Sequence, residues 1–204
     1  MTDTKELARQ TALAFDFIQK LYLESSYLIK EMEGLLLEEK EKFVICRPSG
    51  YAVSARSSTG LESVYVNIWL MRKLAVAFIP EDVTKVEKGQ THTMLSKDLR
   101  VLYVRVVFDD KDIDQPVINT GFLTNFEIKQ PGERWSGKFE KMMSHITYND
   151  QKIFVDPDKV VYEDASVKFD GRFIKNNLYD LNDSKNLYEK VIVPTLGKFR
   201  TSKI

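Results

Sequence analysis

The sequence predicts an α+β fold, in which a long N-terminal amphipathic helix packs on a mainly antiparallel sheet and two short helices lie towards the C-terminus. Two observations carry this prediction. Apolar residues recur at helical spacing through residues 3–40. From residue 43 onwards the chain shows short runs rich in β-branched and aromatic residues, separated by turn residues. We expect one domain over residues 1–204, with a helical element at 1–42 and a sheet-rich body at 43–204.

The N-terminal helix begins at a predicted cap, Asp3, with Glu6 three residues later. Its main apolar stripe consists of Phe15, Ile18, Tyr22, Ile29, Met32 and Leu36, and a row that repeats every seven residues consists of Leu7, Ala14, Leu21, Leu28 and Leu35. Such a helix is on the order of 50 Å long, whereas a compact chain of this size is only about 40 to 45 Å across. We therefore expect the helix to overhang the body, to break, or to pack against another subunit. Ser25 and Ser26 are the expected place for a kink.

The middle of the chain is predicted to form strands. Short apolar runs predict them at residues 43–46, 51–55, 74–79, 99–108 and 117–129. The first two are joined by a turn at 47–50, which predicts a hairpin. The run 99–108 is apolar at nearly every position and predicts a strand buried on both faces. Residues 61–72 fit a helix almost as well as a strand, and the strand is slightly favoured.

The last third of the chain mixes both elements. A helix is predicted from Ser136, because Phe139, Met142, Met143 and Ile146 follow at helical spacing. Further strands are predicted at residues 152–155, 160–162 and 167–169. A final helix begins at a cap, Asp183 or Ser184, and is expected to stop before Pro194.

Composition excludes several classes of protein. Lys plus Arg and Asp plus Glu each number 30, so no overall charge attracts nucleic acid or an anionic membrane, although a local basic patch is compatible with this balance. A single cysteine, Cys46, leaves no internal disulfide framework and no multi-cysteine zinc site. Asp3, Glu6 and Asp16 stand where a signal peptide would be basic and then apolar, and no apolar run reaches the roughly 20 residues of a membrane span. We expect a cytoplasmic protein that does not enter a membrane.

One catalytic constellation can be built from the sequence. Asp109 and Asp114 lie in an acidic loop, and Glu127 and Lys129 form a Glu-x-Lys motif on the following strand. Metal-dependent nucleases use carboxylates in this order to hold a divalent ion, with the lysine positioning the attacking water. Strand alternation, however, predicts that Glu127 and Lys129 face solvent. The neutral chain also leaves nucleic acid as the less favoured partner.

Other candidate sites are weaker. The acidic loop is no EF-hand, because Asp114 and Thr120 stand where that motif needs glycine and glutamate. Arg56 would add a charge to an anion site if a helix opened at Thr59. His92 and His145 are 53 residues apart and show no metal-ligand spacing, so no set of metal ligands is predicted.

The favoured hypothesis is a non-enzymatic interaction or assembly module without a cofactor, whose N-terminal helix mediates self-association or binds a protein partner. Against it stands the equally simple reading that the stripe only covers the protein's own sheet. The alternative from another class is a metal-dependent nuclease or phosphodiesterase that uses a divalent ion with Asp109 or Asp114, Glu127 and Lys129.

Overall fold

The computed structural model describes residues 3–45, 51–53, 71–81, 99–129, 145–146, 150–154 and 156–201. Within these residues a single antiparallel sheet is covered by apolar clusters on both faces. The predicted α+β class with an N-terminal helix and a mainly antiparallel sheet is confirmed. The predicted turn at 47–50 and the ambiguous residues 61–70 lie outside the described part of the chain.

The strands of the sheet are β1 (Phe43–Ile45), β2 (Tyr51–Val53), β3 (Lys73–Pro80), β4 (Val101–Val107), β5 (Val117–Ile128), β6 (Val160–Glu163) and β7 (Val167–Asn177). Their order is β1-β3-β4-β5-β7-β6, and β2 pairs with β3 as well. The predicted hairpin of β1 with β2 is wrong, because β1 pairs with the end of β3 and β2 with its beginning. The two short strands therefore lie one after the other along one edge of β3.

The helices are α1 (Thr4–Glu38), α2 (Asp150–Ile153), α3 (Ser184–Leu187) and α4 (Val193–Thr201), with a π-helical turn at Tyr188–Ile192 between the last two. Asp183 caps α3 as predicted, because its carboxylate accepts a hydrogen bond from the Asn186 N–H at 2.7 Å. The predicted stop before Pro194 is wrong. Pro194 has no N–H to donate to the Lys190 carbonyl. The chain passes this point in a π turn, and the Lys190 carbonyl accepts from Asn176 Nδ2 at 3.4 Å.

Of the later strands, one prediction is wrong and another is confirmed but too short. Residues predicted as a strand at 152–155 include the end of α2, although Ile153 and Phe154 are buried as a strand would have buried them. The strand predicted at 167–169 extends to Asn177. Its continuation escapes the apolar pattern because it contains Gly171, where a Cβ atom would come within 2.9 Å of the Phe122 carbonyl oxygen.

The two faces of β4 are both buried, as the sequence predicted. On one face, Tyr103 packs among rings such as Phe154 and Phe173. The other face carries the second half of α1 together with the C-terminal helices. On that face the buried hydroxyls of Thr120 and Thr195 form a hydrogen bond of 3.0 Å, which joins β5 to α4.

Helix α1 continues without a break through Ser25. The Ser25 side chain is buried, and its hydroxyl donates to the Leu21 carbonyl at 2.7 Å. The serine thus satisfies its polar group inside its own helix, so it can stand in the apolar stripe without a break. Asp3 caps the helix, accepting from the Lys5 N–H at 3.1 Å. Of the three outcomes expected for this helix, the described residues show the overhang.

Candidate interaction surface

Helix α1 divides into two halves by what covers them. Residues 4–20, which we call the free half, expose large apolar side chains, whereas residues 21–38, the covered half, pack on the sheet. Phe15 is 60% exposed and Leu7 is 56% exposed, while Met32 and Leu36 are fully buried. Single exposed apolar residues are ordinary on a protein surface, but a run of them on one helix indicates a contact site.

The free half points its stripe in the same direction as the covered half. At about 100° per residue, Leu7 and Ile18 lie on the same side of the helix as Ile29 and Met32. The stripe leaves the sheet near Tyr22, whose ring packs on Phe108 with centroids 5.3 Å apart. The Tyr22 hydroxyl donates to the Met71 carbonyl at 2.8 Å, and burial raises the pKa of this phenol despite that bond. The core-facing stripe therefore continues for about five turns beyond the last element that covers it.

A groove lies beside the junction of the two halves. It has a volume of about 560 Å³ and is formed by α1 and the turn that precedes α3. Phe17, Leu21 and Leu28 form one wall, and Leu178 and Tyr179 belong to the other. The apolar wall of the free half thus leads directly into a concave apolar site, which extends the surface that a partner could cover.

Two ion pairs of the free half form between residues three or four positions apart on the same helix. Glu6 accepts from Arg9 at 2.7 Å, and Asp16 accepts from Lys20 at 2.8 Å. The hydrogen bond from Arg9 lowers the pKa of Glu6. These pairs occupy the side of the helix away from Leu7 and Ile18, so the stripe itself carries no charge.

The predicted catalytic residues do not form one cluster. Asp109 lies beside Arg72, with 3.4 Å between its Oδ2 and the Arg72 Nε, and Asp114 is exposed. Both precede β5, whereas Glu127 stands ten residues into this strand. At about 3.3 Å per residue the two groups lie on the order of 30 Å apart, too far for carboxylates to share one ion.

Each end of β5 has its own ion pairs. In the acidic loop, Asp110 contacts Lys73 at 2.6 Å. Burial alone would raise the pKa of Asp110, but the hydrogen bond and charge of Lys73 lower it. At the other end Lys129 pairs with Glu163, and Glu127 is exposed beside Lys168 in the strand register, as alternation predicted. Arg56 lies outside the described residues, among which no group of three or more His, Cys, Asp or Glu side chains could hold a metal ion.

A polar cluster that the sequence did not predict lies at the turn between β6 and β7. Asp164 Oδ2 lies 2.7 Å from His145 Nε2 and accepts from the Tyr162 hydroxyl at 2.9 Å. Its other oxygen accepts from the backbone N–H groups of Ser166 and Val167 at 2.7 and 2.8 Å. Asp164 follows a strand and stands two residues before Ser166, which is typical of a turn residue, but no spacing links it to His145 nineteen positions earlier.

This cluster fixes charge states as well as geometry. Burial alone would raise the pKa of Asp164, but the backbone N–H groups of Val167 and Ser166, with Tyr162 and His145, lower it to about 2. Burial and the neighbouring carboxylate raise the pKa of Tyr162 to about 12. Asp164 is therefore a carboxylate with four donors. Two of these donors are backbone N–H groups of the turn itself, so the carboxylate holds the turn between β6 and β7 in place.

Comparison of the chain with protein-family models, with curated proteins and with solved structures finds no match. Among the described residues no helix is long and apolar enough to cross a membrane. The free half of α1 exposes Leu7, Leu13, Phe15 and Phe17, each by more than half.

Proposed function

We propose that this protein is a non-enzymatic assembly module that pairs with a second copy of itself through the free half of α1. One observation carries the proposal. Leu7 and Phe15 are more than half exposed on the helix side that buries Ile29 and Met32 a few turns later. Removing such side chains from water stabilises an interface by roughly 25 cal/mol per Å² of apolar area.

The residue pattern of the free half favours a second copy of the chain as the partner. In an antiparallel pair whose two-fold axis passes between residues 12 and 13, Leu7 faces Ile18 of the second copy and Thr11 faces Ala14. Phe15 then lies on the same side of the seam as Ala8 of the second copy, about two residues from it along the helix axis. Thr11 and Ala14, which are small, stand nearest the axis and leave room for Phe15 beside them, and Leu7 and Ile18 lie towards the ends of the seam.

Electrostatics favours the same occupant. The seam contains no charged side chain, because Arg9, Asp16 and Lys20 lie off it and are occupied within the helix. The chain has no net charge, so two copies do not repel each other at long range. Residues 4–20 carry three basic and two acidic residues, which is far from the Lys- and Arg-rich polar face of helices that bind membrane surfaces.

The size of the surface sets the expected affinity. Seventeen helical residues give a seam about 26 Å long, which falls at the small end of specific interfaces even when the adjoining groove is included. We expect a dimer that forms in the micromolar range and dissociates on dilution.

Light scattering after size-exclusion chromatography tests the proposal, with protein loaded from about 1 µM to about 200 µM. The unmodified chain should change from monomer to dimer over this range. Phe15→Glu places a charge in the seam and should keep the protein monomeric throughout. Leu37→Glu is the matched control, because Leu37 is 43% exposed on the same helix but outside the free half; it should dimerise like the unmodified chain.

Two results would overturn the proposal. One is a monomer at every concentration of the unmodified chain. The other is a dimer that Phe15→Glu leaves intact, which would assign self-association to another surface. Circular dichroism of each variant, measured at the lowest concentration, confirms that loss of the dimer is not loss of the fold.

A further inference from the structure

A cationic pocket lies on the sheet face that carries α4, beyond the C-terminal end of that helix. It has a volume of about 500 Å³, and the residues that matter for its chemistry are Arg100, Lys159, Arg172, Lys198, Thr124 and Thr201. It is formed by different elements from the surface of α1 and is independent of the proposed self-association.

The sheet register explains why these side chains converge. Arg172 on β7 stands opposite Phe122 on β5, and Thr124 stands opposite Asp170, so the four lie side by side in two neighbouring rows of one face. Arg100 precedes β4 by one residue. Lys198 and Thr201 project from the last turn of α4 above them.

Two of the cations are held in place by the protein itself. Arg100 Nη1 donates to the Phe199 carbonyl at 3.0 Å, and its guanidinium lies 5.0 Å from the centre of the Phe199 ring. Lys198 Nζ donates to the Phe173 carbonyl at 3.0 Å. Arg100 thereby neutralises the negative end of α4 and keeps further N–H groups for a ligand, since a guanidinium has five.

The other two cations stand without partners in the described structure. The side chains of Arg172 and Lys159 are exposed and make neither a hydrogen bond nor an ion pair with any described residue, although the Lys159 backbone N–H donates to the Asp156 carbonyl at 3.2 Å. Asp170 is the single carboxylate among the lining residues, and its Oδ2 accepts from Asn125 Nδ2 at 2.9 Å. Asp158 lies at the adjoining rim beside Lys159. In a chain without net charge, four cations around one carboxylate form a local excess of positive charge.

We propose that this pocket binds a small molecule that carries at least two phosphate groups. Paired guanidinium groups recognise phosphate oxygens in two-point contacts, and lysines add charge without fixed geometry. A volume of this size suits one small ligand, and Val161, which is exposed and stands opposite Asp170, offers an apolar wall for its organic part. A nucleic-acid strand would need a longer cationic track than one concave pocket.

Calorimetric titration with inorganic pyrophosphate, in a buffer free of divalent ions, is the direct test. The unmodified chain should bind it saturably and more tightly than inorganic phosphate. Arg172→Ala should raise the Kd about tenfold or more, because it removes a charge-assisted contact. Arg172→Lys should recover part of the affinity. Lys185→Ala removes a lysine that is 81% exposed on α3, away from the pocket, and should leave the Kd unchanged.

The outcomes separate the possible ligands. Absence of saturable pyrophosphate binding, or equal weakening by Arg172→Ala and Lys185→Ala, would overturn the proposal. A ten-nucleotide single strand that binds more tightly than pyrophosphate, with an affinity that falls steeply with salt and depends on Arg172, would overturn it in favour of a nucleic-acid site. Thermal unfolding of each variant without ligand shows whether the fold itself has changed.

Discussion

The two halves of α1 have the same apolar pattern and opposite surroundings. Helix α1 has 35 residues and is therefore about 52 Å long. Its covered half runs along β3, from Met71 and Phe108 beside the start of that strand towards β1 at its end, and β3 has eight residues and is only about 26 Å long. A straight element of this length cannot lie on so small a surface over its whole extent. The periodic stripe therefore predicts which side of the helix is apolar. How much of that side is buried within the same chain depends on the dimensions of the rest of the fold.

The largest expected effect is a difference in unfolding free energy between the same substitution in the covered half and in the free half. Leu36→Ala removes a fully buried side chain from the covered half and should lower the free energy of unfolding by about 2–5 kcal/mol. Leu7→Ala makes the same chemical change at a position that is 56% exposed, and should change it by less than about 0.5 kcal/mol. Urea unfolding followed by circular dichroism, at a protein concentration below about 1 µM, measures both without a contribution from dimers.

Equal losses for the two variants would contradict the division of α1. They would mean that Leu7 is covered within the monomer. If Leu7→Ala instead destabilises the protein only at high concentration, the comparison becomes sharper, because the free half then gains its burial from association.

A second prediction uses hydroxyl groups in place of apolar side chains. Thr195→Val leaves the buried Thr120 hydroxyl without its partner at 3.0 Å and should cost about 1–3 kcal/mol of unfolding free energy. Changing both threonines to valine should recover part of the loss. Thr11→Val is the matched change in the free half, where the hydroxyl is exposed and donates to its own helix at the Leu7 carbonyl. It should have almost no effect.

The unfolding curves of the unmodified chain, Thr120→Val, Thr195→Val and the double variant form a double-mutant cycle. A coupling energy near zero between Thr120 and Thr195 would show that α4 does not depend on this contact. It would then remove the hydroxyl pair as a cause of the rigid attachment of α4 to the sheet.

Much of the fold could be predicted from local pattern. The stripe of α1, the apolar run of β4 and the cap at Asp183 each depend on neighbours in sequence, and each is found in the structure. The errors occur where a distant contact overrides the pattern. Gly171 suggests the end of a strand, but a glycine is required there because the Phe122 carbonyl is so close. Pro194 suggests the end of a helix, but a π turn and Asn176 accommodate it.

The candidate sites were harder to predict for the same reason. Glu127 and Lys129 gave a recognisable motif, yet β5 separates them from Asp109 by its own length. The cationic pocket gave no motif, because Arg100, Arg172 and Lys198 come from three elements that only the sheet register and the packing of α4 bring together. An even charge balance over the whole chain conceals such a local excess.

The smallest expected effect is the pH dependence of the stability that two carboxylates, Asp164 and Asp16, contribute. Because Asp164 has a folded pKa of about 2, below the unfolded value of about 3.9, its contribution to stability is fully present above about pH 4 and is lost as the pH falls towards 2. Asp164→Asn should therefore lower the free energy of unfolding by about 1–2 kcal/mol at neutral pH, and this difference should shrink as the pH approaches 2.

Asp16→Asn in the free half is the control, since Asp16 contacts Lys20 in solvent with 55% of its side chain exposed, and exposed pairs of this kind contribute at most about 0.5 kcal/mol. Urea unfolding of the three proteins at several pH values between about 2 and 7 gives the comparison. A pH-independent difference for Asp164→Asn would mean that the turn depends on the shape of the side chain and not on its charge. A large pH-dependent loss for Asp16→Asn would mean that the charged side of the free half is itself packed, and would contradict the assignment of this half to solvent in the monomer.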